Sequence, residues 1–268
     1  MRITNKENFN SNSLIRLKGQ EFLNNQRIAG RIAAKTLLKL EDLVKEKTSL
    51  SLIELNELAE KFIIESGGIP TFKNYKGFPA GVCISVNKQL VHGIPTDYIL
   101  KDGDVVSFDL GVTINGAIAD TALTIIFGTP KLNRHVDLIK STNEALMAGI
   151  QAISVGKRLG CIGYAISKYA KNKGYSLINN YGGHGIDIAD NGDGIPHAQP
   201  FVANKADKNE GIRMAAGLSI AIEPMLGFGD PKTMVDKDGW TVYTEDIFSH
   251  AEHTVFIHDN YVEIITAR

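Results

Sequence analysis

Four carboxylates and one histidine (Asp109, Asp120, Glu223, Glu252 and His184) each lie in a short strand-like or glycine-bounded stretch of this 268-residue chain. These residue types suit a pair of divalent cations. A carboxylate has two usable oxygens and can bridge two ions, and four negative charges match two M²⁺. The chemistry expected of such a centre is hydrolysis by a metal-activated water. Carboxylate-dominated ligation with one imidazole suits Mn²⁺, Fe²⁺, Co²⁺ or Zn²⁺ and argues against copper or an iron–sulfur cluster.

Asp109 and Asp120 are eleven positions apart, with Asn115-Gly116, a strong tight-turn signal, midway between them. A turn there sets residue 120 opposite 111, so the two acids become diagonal neighbours on one face of a hairpin, provided no bulge shifts the register. Exposed acids are the rule. Here, however, Asp109 is enclosed by Val105, Val106, Phe108 and Leu110, and Asp120 precedes Ala122, Leu123, Ile125 and Ile126. Acids in such surroundings need a partner that offsets desolvation. Glu223 stands in a nearly continuous apolar run over 217–226 that offers no nearby cation, which disfavours a simple salt-bridge role. Glu252 is less telling alone, because a strand start can be exposed. His184 is flanked by Gly182, Gly183 and Gly185, which let a backbone pass close to a ligand and leave the imidazole accessible.

The elements that must position these groups follow from periodicity. Apolar residues at helical spacing from Leu14 to about Leu43, and again at Leu55, Leu58 and Phe62, predict two helices. Ser51 and Glu54 form a capping pair before the second, and Gly67-Gly68 ends it. Segments 82–86, 105–113 and 117–127 read as strands. After Pro130 the order repeats: helical patterns at Val136, Ile139, Leu146 and Ile150 and over 160–173, then strands at 217–226, 240–244, 253–258 and 261–266. Residues 185–194 and 204–211 read as irregular surface loops. The expected fold class is α+β, two helix-helix-sheet halves sharing one sheet, with a pocket at their seam.

Composition bounds the alternatives. With 43% hydrophobic and 22% charged residues the chain can bury a large core, and 29 Lys+Arg against 30 Asp+Glu leave no broad field that marks a nucleic-acid or membrane binder. Two isolated cysteines, Cys83 and Cys161, suit free thiols in a reducing cytosol. The charged and asparagine-rich first residues read as a flexible tail over 1–12, with neither a secretory signal nor an anchor, so a cytoplasmic protein is expected.

Taken together, the motifs Val91-His92-Gly93-Ile94-Pro95, Asp102-Gly103-Asp104, Gly183-His184-Gly185-Ile186, Pro196-His197, Ile222-Glu223-Pro224-Met225, Asp238-Gly239-Trp240 and Glu252-His253-Thr254 resemble the type I methionine aminopeptidases of the pita-bread fold. The likeness runs from about residue 13 to the end. It implies one catalytic domain over 13–268, with pseudo-symmetric halves at about 13–130 and 131–268 sharing a curved antiparallel sheet. It also implies that Asp109 chelates one ion, His184 and Glu223 the other, and that Asp120 and Glu252 bridge both. By the same likeness His92 and His197 touch the substrate, Glu223 shuttles the proton, and Tyr75, Phe78, Cys83 and Trp240 wall the pocket for the methionine side chain. Aromatic rings and a soft sulfur suit a flexible thioether. The resemblance implies removal of the initiator methionine from nascent chains, preferably before a small second residue, by a monomer in transient contact with the ribosome. His135, His250, His253 and His258 receive no role.

The chain departs from the family pattern between His184 and His197, which stand thirteen apart with extra residues within 187–194. Pro196 replaces an aromatic pocket wall, Ala198-Gln199 replaces acidic residues, and Lys76 replaces a common histidine. These changes bear on the pocket and the rate, not on metal binding. Two alternatives are an Xaa-Pro aminopeptidase or prolidase, whose usual additional N-terminal domain is hard to fit before His92, and an inactive pita-bread binding module, which should show eroded ligands.

Overall fold

The computed structural model describes residues 15–46 and 49–268; the expected tail over 1–12 lies outside them. In the first half, α1 (Gln20–Lys45) and α2 (Leu52–Glu65) precede β1 (Ile69–Pro70), β2 (Val82–Val86), β3 (Gln89–Val91), β4 (Val105–Ile114) and β5 (Ala117–Ile126). In the second, α3 (Asn133–Gln151) and α4 (Gly160–Lys173) precede β6 (Ser176–Leu177), β7 (Gly182–Ile188), β8 (Gly194–Ala203), β9 (Ser219–Ile222) and β10 (Met225–Gly227). The chain then runs through β11 (Thr233–Val235), β12 (Val242–Thr244), β13 (Phe248–His250), β14 (Glu252–Ile257) and β15 (Val262–Ile264).

The capping pair is formed. Ser51 Oγ accepts from the Glu54 N–H at 3.2 Å, and Glu54 Oε2 accepts from the Ser51 N–H at 2.8 Å. Gly67 and Gly68 donate back to Ile64 and Ile63 and close the helix end. Asn115 and Gly116 both adopt positive φ, 47° and 78°, the requirement of a two-residue hairpin turn whose twist matches its strands.

β4 and β5 form the long hairpin at the centre of a nine-stranded sheet of order β1-β4-β5-β14-β9-β7-β8, with β2 also on β4 and β15 on β14. The halves meet where β5 pairs antiparallel with β14, Ala122 opposite Glu252 and Thr121 opposite His253. Val106, Phe108, Leu110 and Val112 of β4 and Ala119 and Leu123 of β5 enter a core shared with α1 and α2. Ile220, Ile222, Val255 and Ile257 enter a second core shared with α3 and α4. Side chains alternate along a strand. Asp109, Asp120, Glu223 and Glu252 have the opposite parity to these core residues, so the burial that holds the helices turns all four acids to the other face.

Three expectations are corrected. α1 begins at Gln20, not near residue 14. Residues 15–19 run extended instead, with the Lys18 N–H bonded to Gly217 O at 2.7 Å and Ile15 packed on the second core. The expected loop over 185–194 is the outer part of the β7–β8 hairpin, and only its tip is irregular. The strand expected over 217–226 is two strands, because Glu223-Pro224 interrupts it and proline has no N–H for a ladder.

The hairpin's outer part is fixed to the rest of the fold. Lys18 Nζ sits 2.8 Å from Asp187 Oδ1, both side chains under 10% exposed, and also donates to Arg16 O. Arg16 in turn bonds Ile188 O and Asp190. A buried ion is strongly destabilising once its partner is removed. Asp187→Asn is therefore expected to lower unfolding free energy by about 3 kcal/mol in equilibrium urea titration, whereas the double change Lys18→Met with Asp187→Leu costs less. Equal stability of Asp187→Asn and the parent protein would remove the anchoring role.

Candidate metal centre

The hairpin register delivers the first pair as its sequence implies. Asp109 stands opposite Ala122 and Asp120 opposite Gly111, so the acids are diagonal neighbours. Cys83, Asp109, Ala122 and Glu252 then form one row across β2, β4, β5 and β14. Asp120 is fixed through its backbone, its N–H donating to Thr254 Oγ1 at 2.8 Å and its carbonyl accepting from the same hydroxyl at 2.7 Å. Thr121 Oγ1 donates to Glu252 O at 2.9 Å.

Glycine serves His184 for a reason other than ligand approach. A Cβ on Gly183 would lie 2.1 Å from Ala221 O, and one on Gly185 would lie 1.9 Å from Gln199 O. The neighbouring strands thus pass too close for any side chain. The β7–β8 register shifts on either side of Gly185, a bulge that re-aims the residues beside it. His184 Nε2 reaches to 3.8 Å from Asp120 Oδ2 and 3.7 Å from Glu223 Oε1.

All five residues converge. Ligand atoms of Asp109, Asp120 and Glu252, and likewise of His184, Glu223 and Glu252, lie within 4.8 Å of one another. Asp120, His184 and His197 form a third such group, so His197, read as a substrate-contacting residue, also comes within ligating reach. Its ring packs 4.3 Å from that of His184 and stacks on Tyr75 at 5.5 Å. Asp120, Glu252 and Glu223 are under 5% exposed, which settles the burial of Glu252 that its strand-start position left open.

Three carboxyls here titrate far from their ordinary range. Burial first, then the charges of Asp120 and Glu223, raises Asp109 well above it. Burial and the Glu223 charge push Asp120 up to about 8. Burial, then Asp120, Glu223 and Asp109, raise Glu252. The histidines shift the other way: burial lowers His184 and His197, and takes His92 to about 4. Each direction means that bare charge is unwelcome at this point. Asp109 Oδ1 and Asp120 Oδ1 are buried without a hydrogen-bond partner. Buried unpaired carboxylate oxygens facing one another are what a cation satisfies, so the donor set fits divalent metal.

The carboxylates and His184 line one side of a cavity whose other walls are Tyr75, Phe78, Cys83, His92, His197 and Trp240 together with Phe72 and Val91. Every residue expected at the pocket is present there; Pro196 is not on its wall. Phe78 meets Trp240 edge-on at 5.2 Å, and His92 contacts the rings of Trp240 and Tyr181 at 6.3 and 6.1 Å. Burial raises the Cys83 thiol well above its ordinary pKa, which makes it an apolar wall, not a nucleophile.

His250 is the residue the sequence reading passed over. It is buried, with Nε2 3.5 Å from Glu223 Oε2. Its position two before Glu252 was the available signal, although β13 ends at His250 and β14 begins at Glu252. His258 instead pairs with Glu263, and His253 Nδ1 contacts Thr266 Oγ1, both away from the cavity. Cys83 and Cys161 are free thiols.

This geometry of fused helix-helix-sheet halves around a carboxylate-lined centre defines a metallohydrolase. Residues 24–262 match the model of metallopeptidase family M24, and the chain belongs to that family. It is 40% identical over 255 residues to a methionine aminopeptidase of Mycoplasma capricolum, covering 94% of this chain and 98% of the relative. The crystal structure of methionine aminopeptidase from Rickettsia prowazekii superposes with a TM-score of 0.87 at 34% identity, covering 95% of this chain and all of that one. A prolidase from Pyrococcus furiosus, 19% identical with a TM-score of 0.70, shares the fold, and only 65% of its length is covered. Membership of this family implies divalent metal. Among the described residues no helix is long and apolar enough to cross a membrane.

The titrations make stability without metal depend on pH. Carboxyls with native pKa above the unfolded value of about 4 hold protons that the unfolded chain has lost, so stability falls as pH rises toward the native pKa. Histidines with lowered pKa act oppositely, but only below about 6.5. The urea midpoint of chelator-treated protein is therefore expected to fall between pH 6.5 and 8, and saturating Mn²⁺ to remove that slope. A midpoint that is flat or rising over this interval would contradict the proposed carboxyl shifts.

Proposed function

We propose that this chain is a dinuclear metal-dependent aminopeptidase that removes the N-terminal methionine from nascent proteins and peptides, preferring a small second residue. The observation that carries this reading is the convergence of five ligand-type side chains, two with orphaned buried oxygens, beside a cavity walled by aromatic rings and a thiol. The likeness to methionine aminopeptidases over 94% of the chain supports the substrate. The small-residue preference, action as a monomer and transient contact with the ribosome rest on that likeness alone, whereas a cytoplasmic location rests also on the two free thiols, which suit a reducing compartment.

Asp109 would hold one ion, His184 and Glu223 the other, with Asp120 and Glu252 shared between them; Mn²⁺, Fe²⁺, Co²⁺ and Zn²⁺ all suit these donors. Bound there, the ions lower the pKa of a water molecule and polarise the carbonyl of the first peptide bond. The chain's own residues do the rest. Tyr75, Phe78, Cys83 and Trp240 bury the thioether, removing it from water and setting the first residue's depth. His197 is held neutral, so one ring nitrogen can donate to the carbonyl oxygen as negative charge builds there. His92, also neutral, stands across the cavity where it meets the peptide. Glu223 has one oxygen toward His184 and the other toward His250, and carries the proton from the attacking water to the departing amine.

In a panel of Met-Xaa-Ser peptides assayed with each ion, turnover is expected to be greatest where Xaa is Ala, Gly or Ser, with Xaa-Pro peptides left uncleaved. Asp109→Ala is expected to lose metal uptake and to drop turnover to background. Full activity of that variant would refute the ligand assignment. Cleavage of Xaa-Pro peptides would favour the prolidase reading, and metal uptake without hydrolysis of any peptide would favour a binding module.

A further inference from the structure

The segment holding Tyr75 and Phe78 against the cavity is a short, closely bonded turn. Asn74 N–H donates to Phe78 O at 2.8 Å and Phe78 N–H to Tyr75 O at 3.0 Å. Within it Lys76 adopts φ 49°, a left-handed conformation that is strained for a non-glycine residue. The turn therefore fixes the direction in which Lys76 leaves the backbone. Its ammonium stands 5.6 Å from the centroid of the Tyr75 ring, whose ring stacks on His197.

The neighbouring Lys73 is tied to Glu60 at 3.0 Å. Among the described residues no carboxylate pairs with Lys76, and the side chain is exposed. The four acids of the centre do not neutralise it either, because two divalent ions would balance them.

A peptide in this cavity is directed by its surroundings. On the aminopeptidase reading its first side chain is enclosed by Tyr75, Phe78, Cys83 and Trp240, and its amine end faces the carboxylates. On the same reading the residues beyond the scissile bond leave toward solvent on the side of the cavity lined by Tyr75 and His197, and Lys76 is the exposed cation beside that ring pair. We propose that Lys76 is a specificity-determining residue that makes the mouth of the cavity favour peptides bearing a carboxylate just beyond the scissile bond. This rests on the aminopeptidase reading above and adds a charge preference to it.

The test compares C-terminally amidated Met-Ala-Xaa-Ser-Ser peptides with Xaa as Asp, Asn or Lys, cleaved by metal-loaded wild type, Lys76→Gln and Lys76→Glu. In wild type kcat/KM is expected to rank Asp above Asn above Lys by about threefold per step at low salt, the scale of a solvent-exposed ion pair. The spread is expected to shrink as ionic strength rises to about 0.5 M, where exposed charges are screened. Lys76→Gln is expected to abolish the ranking and Lys76→Glu to invert it. Equal rates for the three peptides in wild type, or an unchanged ranking in Lys76→Gln, would overturn the proposal while cleavage of the Asn peptide upheld the aminopeptidase reading. Failure of wild type to cleave any of them would overturn both.

Discussion

Everything at the seam of this fold depends on crowding carboxylates where water is scarce. Asp109, Asp120, Glu223 and Glu252 come from four places in the chain and meet on one face of the sheet, three of them almost fully buried. Left bare, such a cluster opposes folding, because each charge is desolvated and repels the others. Burial and mutual repulsion push Asp109, Asp120 and Glu252 toward their protonated forms at pH values where free carboxyls are ionised. Divalent cations, which membership of this metallopeptidase family implies, would offset that repulsion at these side chains. The cost at the seam is met elsewhere, by two hydrophobic cores that clamp the helices of each half to the opposite face.

That division between faces was legible in the residues themselves. The β4–β5 hairpin, its Asn115-Gly116 turn and the diagonal relation of Asp109 to Asp120 follow from spacing and turn chemistry, because antiparallel register is a local property. The capping pair at Ser51 and Glu54 and the glycine stop after α2 are local in the same sense. The duplication of helix-helix-sheet order gave the architecture, and the motif likeness named the five ligand-type residues that the fold brings together.

What was not legible depended on distant partners. The β7–β8 hairpin reads as loop because its outer part is rich in Gly, Asp and Asn. It is ordered by contacts that no local pattern announces: Lys18 and Arg16 reach it from before α1, and Gly116 and Gly194 pack closely against its backbone and against Ile118. The glycines around His184 suggested ligand approach, whereas strand crowding by Ala221 and Gln199 is what demands them. His250 was overlooked because its one local hint, a place two before Glu252, does not tell that Glu223 lies across from it. In each case the deciding neighbour is remote in sequence, so only the folded arrangement shows it.

In the proposed centre these side chains enclose two cations. Anomalous diffraction from crystals grown with excess Mn²⁺ tests it directly. Two strong peaks are expected within coordination distance of Asp109, Asp120, His184, Glu223 and Glu252. Absence of ordered metal at these residues, or peaks confined to other parts of the molecule, would contradict the account.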